Sequence, residues 1–431
     1  MKLAVTILVF CVAALLALGM VILYSSSMAE AGTRYLVKQL VGAAAGLTLC
    51  IVGACVDYRR LKKFAVPLYL LGVLLLALVF VPHLGIKRNG ATRWLGYGRN
   101  SLFQPSEFAK VTLLVLLAWY GERYQRHMPT LKRGIIIPGL LIGVMLALIF
   151  KEPDVGNALL LATVSGILLL AAGIRLRYFL PPVVLGAVAV GLFIYHNPMR
   201  SERIYSWLHV EETRQEKGLQ AYQAMVALGS GGITGKGLGD GRQKLGFLPE
   251  HHTDFIFSII GEELGLVATL LVIAAFVAFI LGGIYISINA ADVFGMLLGA
   301  GVTFLIGLQA FINIGVVTSA LPNKGLPLPF ISYGGSNLLV MLASVGLLLS
   351  IARQASSGEG IPLRRDRLLF GSPDNPFRSS KADLRKAIEI RGLKDDGSKP
   401  ASRPASHWPA GLWTFFGLGA SAGGLGSSEV L

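Results

Sequence analysis

The sequence predicts an all-α integral membrane protein, a polytopic bundle of about ten transmembrane helices with a large extracytoplasmic loop between the seventh and the eighth. Three observations carry this. Only 15% of the 431 residues are charged against 54% hydrophobic, well below the roughly 25% charged of soluble domains. The mean hydropathy is +0.64. Apolar runs near or above the roughly 18-residue spanning threshold recur along most of the chain. Cys11, Cys50 and Cys55 fall in or beside those runs without metal-ligand spacing, which argues against a disulfide framework or a zinc site. A formal charge of +15 would suit nucleic acid, but the basic residues sit in short loops and a tail without interleaved aromatics. Topology signals and anionic lipid account for them better, and no nucleic-acid partner is expected.

Met1 and Lys2 precede an apolar run reaching Leu23, longer than the roughly 7–15-residue core of a cleavable signal peptide. It is read as an uncleaved first span at 3–24. The others are expected near 37–56, 64–82, 107–121, 134–150, 157–173, 178–195, 254–284, 292–313 and 337–353. The short fourth needs its flanking polar residues as part of the helix. DYRRLKK (57–63), GERYQRHMPTLKR (121–133) and GIRLRY (173–178) are basic and separated by even numbers of spans, which places them and both termini in the cytoplasm. The other side receives 86–107, 150–157, the long loop 196–253 and the stretch 313–337. These four segments are rich in Gly, Pro, Arg, Asp or Glu and are expected to meet on one face, as a polar cleft open to the outer leaflet. Beyond the membrane domain, 1–353, the composition turns to mixed charge with Pro, Ser and Gly, so 354–431 is expected to be a largely disordered cytoplasmic tail.

The chemistry-bearing residues cluster in those outer segments. Asp254 opens the eighth span, where Thr253 or Asp254 could serve as the helix cap. Glu262 and Glu263 lie about 12 Å deeper in the same helix, and ionisable groups at such depth call for a partner or a cavity. In QPSEFAK (104–110), Pro105 and Ser106 suit a helix start. Glu107 and Lys110, three apart on one face, form either an intrahelical ion pair or part of the cleft wall holding an anionic headgroup. Asp154 in EPDVGNALL (152–160) caps the sixth span or acts in the cleft. Arg93 and Trp94 would pair a phosphate with an interfacial anchor. GSGGITGKGLGDG (229–241) is not a phosphate loop, since Ser230 stands where the motif's first Gly belongs and Gly237 follows Lys236. It is read as a flexible loop that lets backbone approach a ligand. His251 and His252 lack the spacing of a zinc helix.

Six motifs in order, GATRWL, FQPSEFAK, EPDVGNALL, GSGGITGKGLG, QKLGFLPEHHTDFIFSIIGEELG and LPNKGLPLPFISYGGSN, make residues 1–353 resemble the SEDS family (shape, elongation, division, sporulation) of bacterial cell-wall polymerases. RQKLGFLPE and Lys324 before Gly325 follow the division type; LPLPF leans to the elongation type, and Asn337 stands where the family commonly has Ser. The resemblance implies peptidoglycan glycosyltransfer from lipid II at the outer face of the bacterial inner membrane, at the division septum. It implies that Asp254 is the catalytic acidic residue and that Glu107, Lys110 and Asp154 belong to the central cavity. Pyrophosphate leaves without a general acid, so one base suffices, and an α-linked donor giving a β-linked product means a single inverting displacement. Asp254 would take the acceptor's hydroxyl proton. Arg93, Lys110, Arg242 or Lys324 would stabilise the departing pyrophosphate, with Mg2+ or Mn2+ as a candidate aid. The implied partner is a class B penicillin-binding protein, a transpeptidase, together with other division proteins. A lipid II flippase and a non-catalytic division scaffold are the alternatives the sequence leaves open.

Overall fold

The structure, a computed structural model, describes residues 1–88, 91–97, 100–215, 218–249 and 252–356. The expected tail lies outside the described residues save for its first three, which finish the last helix. A helix stands at every place where a span is expected. In chain order these are α1 (Lys2–Ala31), α2 (Arg34–Cys55), α3 (Leu61–Leu78), α4 (Pro105–Arg123), α5 (Ile137–Lys151), α6 (Val155–Ala171) and α7 (Leu176–Tyr195). After two further helices come α10 (Ile256–Ile288), α11 (Val293–Val317) and α12 (Gly335–Ser356). Among the described residues, eight helices are long and apolar enough to cross a membrane: all of these except α4 and α6. The apolar α6 has 17 residues, and α4 carries Glu107, Lys110, Glu122 and Arg123 in 19.

Burial separates the helices by role. α4, α11 and α12 form the middle of the bundle, with Leu113, Leu114, Leu298, Leu305 and Leu348 fully enclosed. α7 buries nothing and turns Leu180, Leu185 and Leu192 outward, an apolar surface suited to lipid rather than water. Local sequence sets the helix ends. Pro105 sits in the first turn of α4, where its missing N–H costs nothing. The Asp154 and Asp292 carboxylates cap α6 and α11 by accepting from Asn157 N and Gly295 N.

Two expected loops are structured. The 86–107 segment, expected as a polar loop, contains a three-stranded antiparallel meander: β1 (Gly85–Arg88), β2 (Ala91–Tyr97) and β3 (Asn100–Phe103). Ile86 pairs with Trp94 and Leu95 with Phe103, and the register slips once in each ladder, which hides the period-2 pattern from a reader of the sequence. The 196–253 loop contains α8 (Pro198–Leu208) and α9 (Leu219–Ser230).

The four polar segments do meet at one end of the bundle. Arg93 of β2 donates to the carbonyls of Glu152 and Pro153. Gln104 N donates to Ser336 Oγ at the head of α12, and Trp207 Nε1 of α8 donates to Ser319 O. Asn323 donates to Gln220 of α9. At the other end, a compact ion cluster ties α3, α4 and α11 together. Lys62 bridges Glu122 (2.8 Å) and Asp292 (3.0 Å), Arg59 reaches Asp292 at 3.3 Å, and the Tyr58 hydroxyl donates to Asp292 at 3.0 Å.

Candidate active site

The two carboxylates deep in α10 are structural clamps for the glycine-rich loop. Glu262 receives Lys236 Nζ at 2.9 Å and the backbone amides of Arg242 and Gln243 at 2.9 and 3.1 Å. Glu263 receives Lys244 at 2.6 Å and the Ser25 hydroxyl of α1 at 2.7 Å. Both glutamates are wholly buried, so their charge is carried by these donors. The loop's backbone completes the arrangement. Gly265 breaks α10 with φ 77°, a conformation that suits glycine, and so frees two carbonyls and two amides of the helical ladder. The Glu262 and Glu263 carbonyls accept from Lys236 N and Gly237 N, while Leu266 N and Val267 N donate to the Gly232 and Ile233 carbonyls. Every freed group is paired, as a membrane requires. The backbone this loop is seen to approach is that of α10.

Asp254 lies in the turn just before α10, half-buried. Phe255 occupies the N-cap position and no side chain caps the helix, so neither Thr253 nor Asp254 is the cap. The Asp254 carbonyl accepts from Asn313 Nδ2 at 2.8 Å. Its carboxylate lies against the backbone of Gly325, where an added Cβ would stand 2.6 Å from Oδ2. Lys324 is the neighbour of Gly325 in the chain. Lys324 is half-buried, and burial lowers its pKa below the ordinary lysine value. His252, two residues before Asp254, stacks on Tyr35 with ring centroids 4.8 Å apart. His251 lies outside the described residues.

Glu107 and Lys110 form a fully buried ion pair at 2.9 Å. Lys110 also donates to Asn157 Oδ1 at 3.2 Å and Gln309 Oε1 at 3.1 Å, which accounts for all three of its N–H groups. Asn337 donates to Glu107 at 2.8 Å. Asn157 in turn donates to Asp154, whose carboxylate stands 3.9 Å from Arg93. Glu107, Lys110, Asp154 and Arg93 thus belong to one network, in which the Lys110 ammonium and most of the Arg93 guanidinium point at protein oxygens. Arg242 stands apart: its backbone is anchored on Glu262 and its side chain is exposed.

Sequence reasoning missed Asn157, Gln309 and Asn313 as network members, and Glu152 altogether. Two amides one turn apart in the otherwise apolar α11 were the available signal. Glu152 is completely buried, and neither carboxyl oxygen has a hydrogen-bond partner. Burial, reinforced by the charge of Asp154 and partly opposed by Arg93, pushes its pKa up to about 8. Among the described residues, no group of three or more His, Cys, Asp or Glu could hold a metal ion.

The profile of the FtsW/RodA/SpoVE proteins, described as cell cycle proteins, matches residues 5–357. A probable peptidoglycan glycosyltransferase FtsW of Geobacter metallireducens is 41% identical over 345 residues, covering 79% of this chain and 92% of its own. Among solved structures, a chain from a peptidoglycan synthase complex coordinating polymerization and crosslinking gives a TM-score of 0.67 at 29% identity, covering 81% of this chain and 97% of that one. The rod shape determining protein RodA of Thermus thermophilus gives 0.61 at 29% identity, covering 81% and 96%. With a profile match over most of its length and a relative this similar, the chain belongs to the FtsW/RodA/SpoVE family of cell cycle proteins.

Proposed function

We propose that this chain is a peptidoglycan glycosyltransferase that polymerises lipid II at the outer face of the bacterial cytoplasmic membrane, with Asp254 as its base. The observation that carries the reading is a half-buried carboxylate at the loop-bearing end of the bundle, packed on Gly325 beside Lys324. The similarity to a probable peptidoglycan glycosyltransferase FtsW supports it. In the reaction, the acceptor's 4-hydroxyl oxygen attacks the anomeric carbon of the lipid-linked donor strand. The bond from that carbon to the pyrophosphate breaks, the pyrophosphate takes the electron pair, and Asp254 takes the hydroxyl proton, with inversion at carbon. Lys324, next to Gly325 in the chain, and the exposed Arg242 are the cations we assign to the leaving group. Lys110 and Arg93, engaged with protein oxygens, serve by holding the walls of the site. A divalent cation at this site would be held by Asp254 together with the pyrophosphate oxygens and would supply positive charge to the leaving group.

The polymerase reading is preferred to a lipid flippase, which needs a polar path from the opposite leaflet, because the polar segments gather at the loop-bearing end of the bundle. The positive-inside count puts the other end, and both termini, in the cytoplasm. The partner we assign is a class B penicillin-binding protein at the division septum, in line with a structural neighbour taken from a complex that polymerises and crosslinks.

The test is glycan-strand formation from lipid II in detergent, where no leaflet remains to flip across, by the chain and by Asp254→Asn, each with the cognate transpeptidase. Polymer from the parent alone supports the assignment. Equal polymer from both removes Asp254 from the role, and none from either in a competent assay overturns the glycosyltransferase reading.

A further inference from the structure

Gln309 and Asn313 sit one turn apart on α11, 0% and 1% exposed. A buried amide is costly unless its groups are paired, so their partners are informative. Gln309 Oε1 accepts from Lys110, which turns its NH2 the other way, to donate to the Pro327 carbonyl at 2.9 Å. Asn313 spends both amide protons on carbonyls, Leu326 at 2.7 Å and Asp254 at 2.8 Å. The reversed amide would set an oxygen against two carbonyl oxygens, so the orientation is fixed. Asn313 Oδ1 itself is buried without a hydrogen-bond partner; the residue is held for its N–H groups. The segment these amides grip, Lys324 to Leu328, has no regular secondary structure, so no helical or sheet ladder fixes its position. Yet it carries Gly325, against which the Asp254 carboxylate packs.

We propose that Gln309 and Asn313 are positioning residues that set the Asp254 carboxylate against Gly325 and Lys324, and that the buried Glu107–Lys110 pair acts on the site through the Gln309 amide. The inference rests on the glycosyltransferase reading above. α11 holds both walls of the site at once, the Asp254 turn by one bond and the Lys324 segment by two. Lys110 contributes by orienting the amide that makes one of those bonds.

The test uses the chain purified with its transpeptidase and measures steady-state polymerisation of lipid II. Asn313→Asp keeps the shape and removes both donors. Gln309→Glu keeps an oxygen for Lys110 and removes the donor to Pro327. In variants that match the parent in unfolding temperature and partner binding, kcat is expected to fall roughly tenfold or more, with KM for lipid II within about twofold. Lys110→Met combined with Gln309→Met is expected to be no slower than the slower single variant, since the two act in series. A Gln309→Glu chain at parent kcat overturns the proposal, because Gln309 would then serve only to satisfy Lys110. A loss carried by KM also overturns it. Should Asn313→Asp fail to fold, Asn313→Leu removes both donors at similar side-chain size, and a folded Asn313→Leu at parent kcat has the same force. No polymer from the parent removes the underlying reading and this proposal with it, whereas an active parent with unaltered variants removes only the positioning role.

Discussion

Glu152→Gln is expected to make the protein more stable at alkaline pH relative to acid. The parent carboxyl is lifted from 4.5 to about 8, and each pKa unit corresponds to about 1.4 kcal/mol. Below pH 4.5 the group is protonated in both the folded and the unfolded chain and contributes nothing to the balance. Between 4.5 and about 8 the unfolded chain releases the proton while the folded chain keeps it, so stability falls as pH rises and levels off above that window. The accumulated penalty is on the order of 5 kcal/mol. Glutamine has the shape of the neutral acid and does not titrate. Its own unpaired N–H groups add an offset that is the same at every pH and cancels when acid and alkaline values are compared. The assay is thermal unfolding in detergent, followed by intrinsic fluorescence from pH 4.5 to pH 9 for parent and variant side by side. Other titrating groups move both curves together, so the gap between them is the quantity of interest, and it is expected to widen through the window in the variant's favour. Parallel curves would show that Glu152 is ionised in the folded protein and that its burial is compensated by a donor, which would refute the argument.

Two further outcomes follow from the site. Gly325→Ala places a methyl group 2.6 Å from Asp254 Oδ2, and is expected to cut polymerisation roughly tenfold or more while leaving the unfolding temperature near the parent's, read by lipid II turnover on the intact complex. Because burial lowers the Lys324 pKa, its ammonium is lost at a lower pH than that of an ordinary lysine, so the alkaline limb of kcat is expected to begin early. Lys324→Arg should move that limb upward and Lys324→Met should abolish it along with most of the activity; a limb unchanged in the Arg variant would assign it elsewhere.

The apolar runs made the helices legible, because a membrane leaves a spanning segment little choice but to satisfy its own backbone. The Glu107–Lys110 pair was legible from spacing alone, being three residues apart on one helix. Its other partners were not, since Gln309 is 199 residues from Lys110 and Asn337 is 230 from Glu107, and nothing local records such distances. The meander escaped notice because strands of 4 to 7 residues with a slipped register spell like a loop. The carboxylates at 262 and 263 were legible as an anomaly, and the answer lay in a glycine-rich stretch whose backbone complements a helix break. Asp254 was found through the motif around it, while the geometry that makes it useful comes from α11.

The four backbone bonds between the 229–237 loop and the break at Gly265 have a mechanical consequence. A surface loop usually absorbs a push by flexing, but this one is grafted onto the first turns of α10, with Lys236 and Lys244 as rivets on Glu262 and Glu263. Loop and half-helix are thereby tied together, and Asp254 stands in the turn that leads into that half-helix. A displacement imposed on this loop is therefore passed to the first turns of α10 rather than absorbed in the loop, and at the Asp254 turn it is opposed by the Asn313 bond to the Asp254 carbonyl.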